Sequence, residues 1–265
     1  MTIQLGFQAE DFTMKTWRAV AAEFIATGLF VFLGTGSVVV ATVGLGAATS
    51  DIGPSPQFIV TVALAHGLAI AFLVAATAKI SGGHINPVVS LAAALTGKMK
   101  VSTAVLYIVG QIVAAILASL LLKAVIAGPM EGTLGAHSVN VFIPPDQFGL
   151  LDDQFGNGAG AGLLVEIVLT FVLVFVIFAT AFDRKGLGHL APMAIGLAYL
   201  VDSLVGIPLT GASMNPARSF GPAVVANVWA DHWIYWLGPA IGAVLAALVY
   251  EFVFLEREED GELPP

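Results

Sequence analysis

The sequence predicts an all-α membrane protein in which six transmembrane helices and two re-entrant half-helices form an inverted repeat. Three observations carry this. Six runs, at about 17–43, 58–78, 101–127, 158–182, 190–209 and 233–255, are apolar over the roughly 20 residues needed to cross a bilayer. An Asn-Pro pair stands twice before an apolar stretch too short to cross, at Asn86-Pro87 and Asn215-Pro216. Finally, 58% of residues are hydrophobic and 11% charged, where a soluble domain carries about 25% charged residues.

The first run holds Glu23 and Thr27 among apolar neighbours. Glu10 and Asp11 precede it and its length suffices to span, so it reads as a helix and not as a cleavable leader. Pro54 and Pro56 mark the loop before the second run, which contains His66. Next comes Ser81-Gly82-Gly83-His84-Ile85-Asn86-Pro87-Val88-Val89-Ser90. Asn is a good helix N-cap and Pro a good first helical residue, so a short helix starts here and runs to about Leu95. The third run carries Tyr107-Ile108-Val109-Gly110, and the connection over 128–157 is the longest, with Pro129, Pro144 and Pro145.

The fourth run holds Glu166 and Thr170, placed as Glu23 and Thr27 are in the first. The fifth leads into Thr210-Gly211-Ala212-Ser213-Met214-Asn215-Pro216-Ala217-Arg218-Ser219. A second short helix is predicted there, to about Val228. The sixth opens on Tyr235-Trp236-Leu237-Gly238, the counterpart of the Tyr107 segment. An internal duplication is the simplest reading, with halves over about 15–127 and 158–255 of a single domain, 1–265. Glu256, Glu258, Glu259, Asp260 and Glu262 make 256–265 an acidic, solvated tail.

Lys and Arg in short loops set orientation. Lys15, Arg18, Lys79, Lys98, Lys100, Arg184, Lys185 and Arg257 all fall on one side of the six spans. Both termini are therefore expected in the cytoplasm, with the cell membrane as location. Three spans separate the Asn-Pro segments, so these start from opposite faces, as in an inverted repeat about an axis in the membrane plane. Non-helical backbone at membrane depth is tolerated only inside protein or along a water-filled cavity. Two re-entrant loops whose helix N-termini meet near the midplane satisfy that constraint.

This pattern resembles the aquaporin (major intrinsic protein) family over nearly the whole chain. The first copy departs from the family's Asn-Pro-Ala by reading Asn86-Pro87-Val88, while the second keeps Asn215-Pro216-Ala217. The resemblance implies a passive channel for water that excludes protons and ions. It also implies a homotetramer in the lipid bilayer, without cofactor. Facing half-helices would raise the energy of a cation between their positive ends. Asn86 and Asn215 would each donate to one water oxygen, turning its hydrogens outward along the pore. Carbonyls of Gly82, Gly83, His84, Ile85, Gly211, Ala212, Ser213 and Met214 would line the path.

The family pattern further implies an outer constriction of His66, Ser203, Ala212 and Arg218. The His resembles plant tonoplast intrinsic proteins. Ser219 after Arg218, where glycerol facilitators carry Asp, resembles water-selective members. Small Ser203 and Ala212 imply room for ammonia, hydrogen peroxide, urea or glycerol. His137 resembles a loop histidine that neighbours the filter in some tonoplast members. Glu23 and Glu166 are read as acceptors for the loops' backbone N–H groups; Asp202 has no assigned role.

A proton- or ion-coupled transporter on an inverted repeat is the alternative, with the two buried carboxylates as relay sites. The sequence offers no nucleophile–base set, phosphate loop or metal-ligand cluster, so it does not read as an enzyme. Ten basic residues spread along the chain do not make a nucleic-acid surface, and without cysteine there is no thiol chemistry. The charge bias makes one direct prediction. A Ser138→Cys variant at the surface of intact cells should react with a membrane-impermeant thiol reagent. A folded variant that stays unlabelled would reverse the orientation.

Overall fold

A computed structural model of the chain describes residues 2–44, 54–126, 132–139 and 158–255. The acidic tail 256–265 and most of the connection 128–157 lie outside the described residues. The α-helices are α1 Met14–Gly44, α2 Pro56–Ser81, α3 Pro87–Leu95, α4 Val101–Val125, α5 Ala159–Ile177, α6 Ala191–Thr210, α7 Pro216–Ala226 and α8 Ile234–Val249. Among the described residues six stretches are long and apolar enough to span a bilayer, at the positions expected within a few residues. One feature is new: π-helical turns, Phe178–Phe182 and Tyr250–Phe254, continue α5 and α8.

The bundle is apolar outside and buries a set of polar and charged side chains within a largely apolar core. Ile25, Leu29 and Leu33 on α1, and Val105, Val109, Val113 and Leu117 on α4, are exposed at the i, i+4 spacing of a helix face. Glu23, Gln111, Glu166, Asn215 and Arg218 are buried. Lipid tails are as apolar as Leu, so contact between spans relies on close approach at small residues. At the α2–α6 crossing a Cβ on Gly67 would lie 2.7 Å from the Gly196 carbonyl oxygen, and one on Gly196 2.6 Å from the Gly67 carbonyl oxygen. Each half supplies one of these glycines, at the same distance before its Asn-Pro pair.

α3 and α7 dip between the spans, with α3 against α4 and α8 and α7 against α4 and α1. The backbone leading into each half-helix makes no ladder, so its N–H groups need other acceptors. Glu23 accepts from His84 N–H at 2.9 Å and Ile85 N–H at 2.6 Å, and from the Ser81 hydroxyl at 2.6 Å. Glu166 accepts from Ser213 N–H at 3.0 Å, Met214 N–H at 2.9 Å and the Thr210 hydroxyl at 2.6 Å. Tyr107 and Tyr235 donate to the Ser81 and Thr210 carbonyls, each at 2.9 Å. The duplication read from the sequence thus extends to individual hydrogen bonds. Gln111 breaks the symmetry, donating to Glu23 at 2.8 Å.

On one face of the bundle, side chains tie the connections together. Lys98 pairs with Glu251 at 3.0 Å, Lys100 pairs with Asp11, and the Tyr250 hydroxyl donates to Asp183 at 2.7 Å. That hydroxyl, with the Lys185 N–H, holds the Asp183 carboxyl below the usual carboxylate range. The N-terminal residues, the α3–α4 connection, the segment after α5 and the end of α8 share this face.

Glu166 provides the test of the loop geometry. In Glu166→Gln one amide oxygen still accepts, so a single loop donor loses its partner, at about 1–3 kcal/mol. In Glu166→Leu all three donors lose theirs. Glu166→Gln should fold, with a lowered melting temperature and measurable osmotic permeability, and Glu166→Leu should not be recovered as folded protein. Equal stability of the two, by thermal unfolding in detergent, would show that the loop does not depend on this carboxylate.

Candidate functional site: a path between two half-helices

The two half-helices meet N-terminus to N-terminus. Asn86 caps α3 from extended backbone, its Oδ1 accepting from Val88 N–H at 3.1 Å. Asn215 caps α7 in the same way, accepting from Ala217 N–H at 3.0 Å and Arg218 N–H at 3.4 Å. The caps then cross between halves. Asn86 Nδ2 donates to the Met214 carbonyl at 2.8 Å, and Asn215 Nδ2 donates to the Ile85 carbonyl at 2.9 Å. A primary amide has two N–H donors, so each Asn retains one. Pro87 and Pro216 begin the helices, and Val88 and Ala217 are both buried behind them.

Left-handed backbone recurs at matching places in the two loops: Gly82, Gly83 and Ile85 in the first, Gly211, Ala212 and Met214 in the second. For Ile85, Ala212 and Met214 this costs on the order of 1–3 kcal/mol each, which the surrounding bonds must offset. Three of the carbonyls expected on the path already have protein partners. Ile85 and Met214 accept from the Asn amides, and Ser213 accepts from the Tyr199 hydroxyl at 2.9 Å. A carbonyl has two lone pairs, so each keeps acceptor capacity.

Arg218 lies in the first turn of α7 and is 1% exposed. Its Nε donates to His66 Nε2 at 3.2 Å and its Nη1 to the Gly135 carbonyl at 2.6 Å. Guanidinium nitrogens only donate, so His66 Nε2 accepts and its proton sits on Nδ1, which donates to the Val62 carbonyl at 2.8 Å. His66 is therefore a neutral imidazole with both nitrogens committed. It contacts Arg218 directly, where the sequence suggested only that the two share a constriction. Among the described residues Arg218 makes no ion pair; both its partners are neutral.

A packed wall supports this pair. The His66 ring stacks on Tyr199 with an interplanar angle of 6°, and Phe30 meets both rings edge-on. A Cβ on Gly34 would fall 2.6 Å from His66 Nε2, so only Gly fits there. Ala212 packs against Gly206 of α6, one turn beyond buried Ser203. Asp202 is also buried, and its Oδ2 has no hydrogen-bond partner among the described residues.

His137 folds in from the connection between α4 and α5. Its Nδ1 is 2.7 Å from Ser219 Oγ, which lies 2.5 Å from Ser213 Oγ. Burial, then the nearby Arg218 charge, hold His137 well below the usual imidazole range, so it is uncharged at neutral pH. Its Nε2 has no partner among the described residues. Tyr199, Phe30, Gly34 and Gly135 escaped the sequence reading. Gly135 and His137 sit in an irregular connection whose fold no spacing rule specifies, and an aromatic in an apolar span reads as core.

A cavity of about 480 Å³ opens on the face that carries Lys79, Arg184 and His189 and runs inward past Gly82, Gly83 and His84 to Asn86, Asn215 and Tyr199. Its lining does not reach His66 and Arg218. Among the described residues no three His, Asp or Glu cluster as metal ligands would.

Comparison with known proteins gives this geometry a family. A family model described as Major intrinsic protein matches residues 10–250. Aquaporin TIP4-4 of Zea mays is 41% identical over 263 residues, covering 98% of this chain and 96% of the relative. Aquaporin-4 of Mus musculus is 44% identical over 245 residues, covering 91% of this chain and 69% of the relative. The X-ray structure of the aquaglyceroporin from Plasmodium falciparum superposes with a TM-score of 0.73 at 22% identity, over 90% of this chain and 96% of that one, a likeness of fold. With the match reaching from just before α1 to the end of α8, the chain belongs to the major intrinsic protein family.

Proposed function

We propose that the chain is a passive channel for water, with passage of small neutral solutes such as ammonia, hydrogen peroxide, urea or glycerol. The observation that carries this reading is the crossed pair of Asn amides between two half-helix N-termini, each with one donor to spare. A water held by both donors points its own hydrogens away, which interrupts proton transfer along the file. The half-helix dipoles oppose a cation at the same point. In this reading His66, Ser203, Ala212 and Arg218 form the outer filter with His137 beside it. Asn86-Pro87-Val88 and Asn215-Pro216-Ala217 form the inner barrier, and the carbonyls of Gly82, Gly83, His84, Ile85, Gly211, Ser213 and Met214 supply acceptors. Glu23 and Glu166 anchor the loops. Their carboxylate oxygens accept from loop donors, which supports anchoring over proton relay.

We further propose one channel domain of two three-span halves, a homotetramer, cytoplasmic termini and a cell-membrane location. The resemblance to tonoplast proteins would instead place a plant member in an internal membrane, and fractionation separates the two. Stopped-flow light scattering of proteoliposomes under gradients of sucrose, glycerol, urea and ammonium tests the function. Fast shrinkage in sucrose, independent of a pH gradient, is expected. Saturable uptake that requires a pH gradient would favour a coupled transporter.

Two substitutions test the filter. Arg218→Val removes the filter's positive charge but leaves the half-helix dipoles, so proton or small-cation leak should rise severalfold while water permeability stays within an order of magnitude. His66→Ala removes the ring that Arg218 bonds and should raise urea or glycerol flux relative to water. Unchanged cation exclusion in the first and unchanged solute ratios in the second would place the filter elsewhere.

A further inference from the structure

The residues before α1 form an arm that the channel reading does not use. Its backbone is pinned to the start of α4. Val101 N–H donates to the Gln4 carbonyl at 2.8 Å and Ser102 N–H to the Leu5 carbonyl at 3.0 Å. These are first-turn donors of a helix whose N-cap, Lys100, makes no side-chain cap, so the arm supplies the acceptors that a helix start lacks. Asp11 pairs with Lys100 at one end. At the other the Thr2 carbonyl packs on Gly97, where a Cβ would meet it at 2.5 Å. The arm is thus fixed at the level where α1 and α4 begin their crossing.

Its side chains are unusual for a segment in water. Ile3, Leu5 and Phe7 are 48%, 66% and 62% exposed, alternating in sequence with Gln4 and Gly6. Phe12, Met14 and Trp17 continue the exposed apolar surface onto α1, where Ile25, Leu29 and Leu33 extend it along the outward face of the span. Trp at a helix end is a mark of the membrane–water boundary. Lys15 and Arg18 are exposed beside Trp17, and basic side chains at this level are drawn to anionic lipid.

We propose that residues 3–7, with Phe12, Met14 and Trp17, form an interfacial anchor seated in the headgroup–acyl boundary of the leaflet on the N-terminal side. The occupant of this apolar face is lipid. The argument rests on the arm's pinned height, its continuity with the outward face of α1 and the flanking basic residues. An anchor of this kind ties the α3–α4 connection, and with it the C-terminal end of the first half-helix, to the lipid surface.

The chain contains no cysteine, so single spin labels report one site each. Leu5→Cys and Phe7→Cys, with Glu10→Cys as the polar reference, would be labelled with a nitroxide in full-length protein. The labelled proteins would be reconstituted in bilayers of mixed neutral and anionic phospholipid. Retained osmotic permeability shows that each is folded. Collisional relaxation by apolar oxygen should exceed relaxation by a water-soluble nickel chelate at Leu5 and Phe7, severalfold more than at Glu10. Dominance of the nickel chelate at Leu5 and Phe7 would overturn the proposal by placing the arm in water. Protection from both agents would overturn it by placing the arm under a neighbouring protein chain.

Discussion

Backbone inside a membrane protein has no bulk water to bond, and everything distinctive here follows from how that constraint is met. The path needs two segments that are neither helix nor strand, because helical backbone turns its carbonyls back into its own ladder. Their N–H groups then lack partners at a depth where each unpaired group costs on the order of kilocalories. Glu23 and Glu166 answer this from the neighbouring spans, each accepting two loop N–H groups and one hydroxyl. A neutral side chain of similar size does not offer as many acceptors at one point, which is why a costly buried carboxylate sits in each half.

With the loops held, the remaining geometry follows. Left-handed residues at matched positions interrupt any regular repeat. The Asn caps finish each loop and start each half-helix, and the same two side chains bind the halves to each other. That double use fixes the free amide donors relative to both helix dipoles at once. Farther out, Arg218 is held by neutral acceptors, so its charge is positioned without being paired. In the proposed channel these would be two separate obstacles to cations, one from a side chain and one from backbone dipoles.

Much of this was legible in the sequence because duplication makes weak signals count twice. One Asn-Pro pair is an ordinary helix start; two, each preceded in the chain by a carboxylate in an apolar span, define the half-helices and their anchors. The Tyr107 and Tyr235 match is visible as repetition, but a Tyr in an apolar run does not reveal that its hydroxyl donates to a loop carbonyl. Other features left no pattern. Gly135 holds Arg218 through a carbonyl, which any residue possesses, and it sits in a connection without periodicity. Gly34 matters only because a ring from another helix lies against it. The π-helical turns after α5 and α8 fall within the same apolar runs as the spans they extend, so the run lengths do not distinguish them.

The central claim is that the path is preformed, its polar groups replacing the hydrogen bonds that a water leaves behind, with no change of conformation per molecule carried. The temperature dependence of osmotic permeability in proteoliposomes tests this most directly. The account predicts a dependence as shallow as that of water diffusing in bulk. A dependence as steep as that of the bare bilayer, or of a carrier that must rearrange on every cycle, would contradict it.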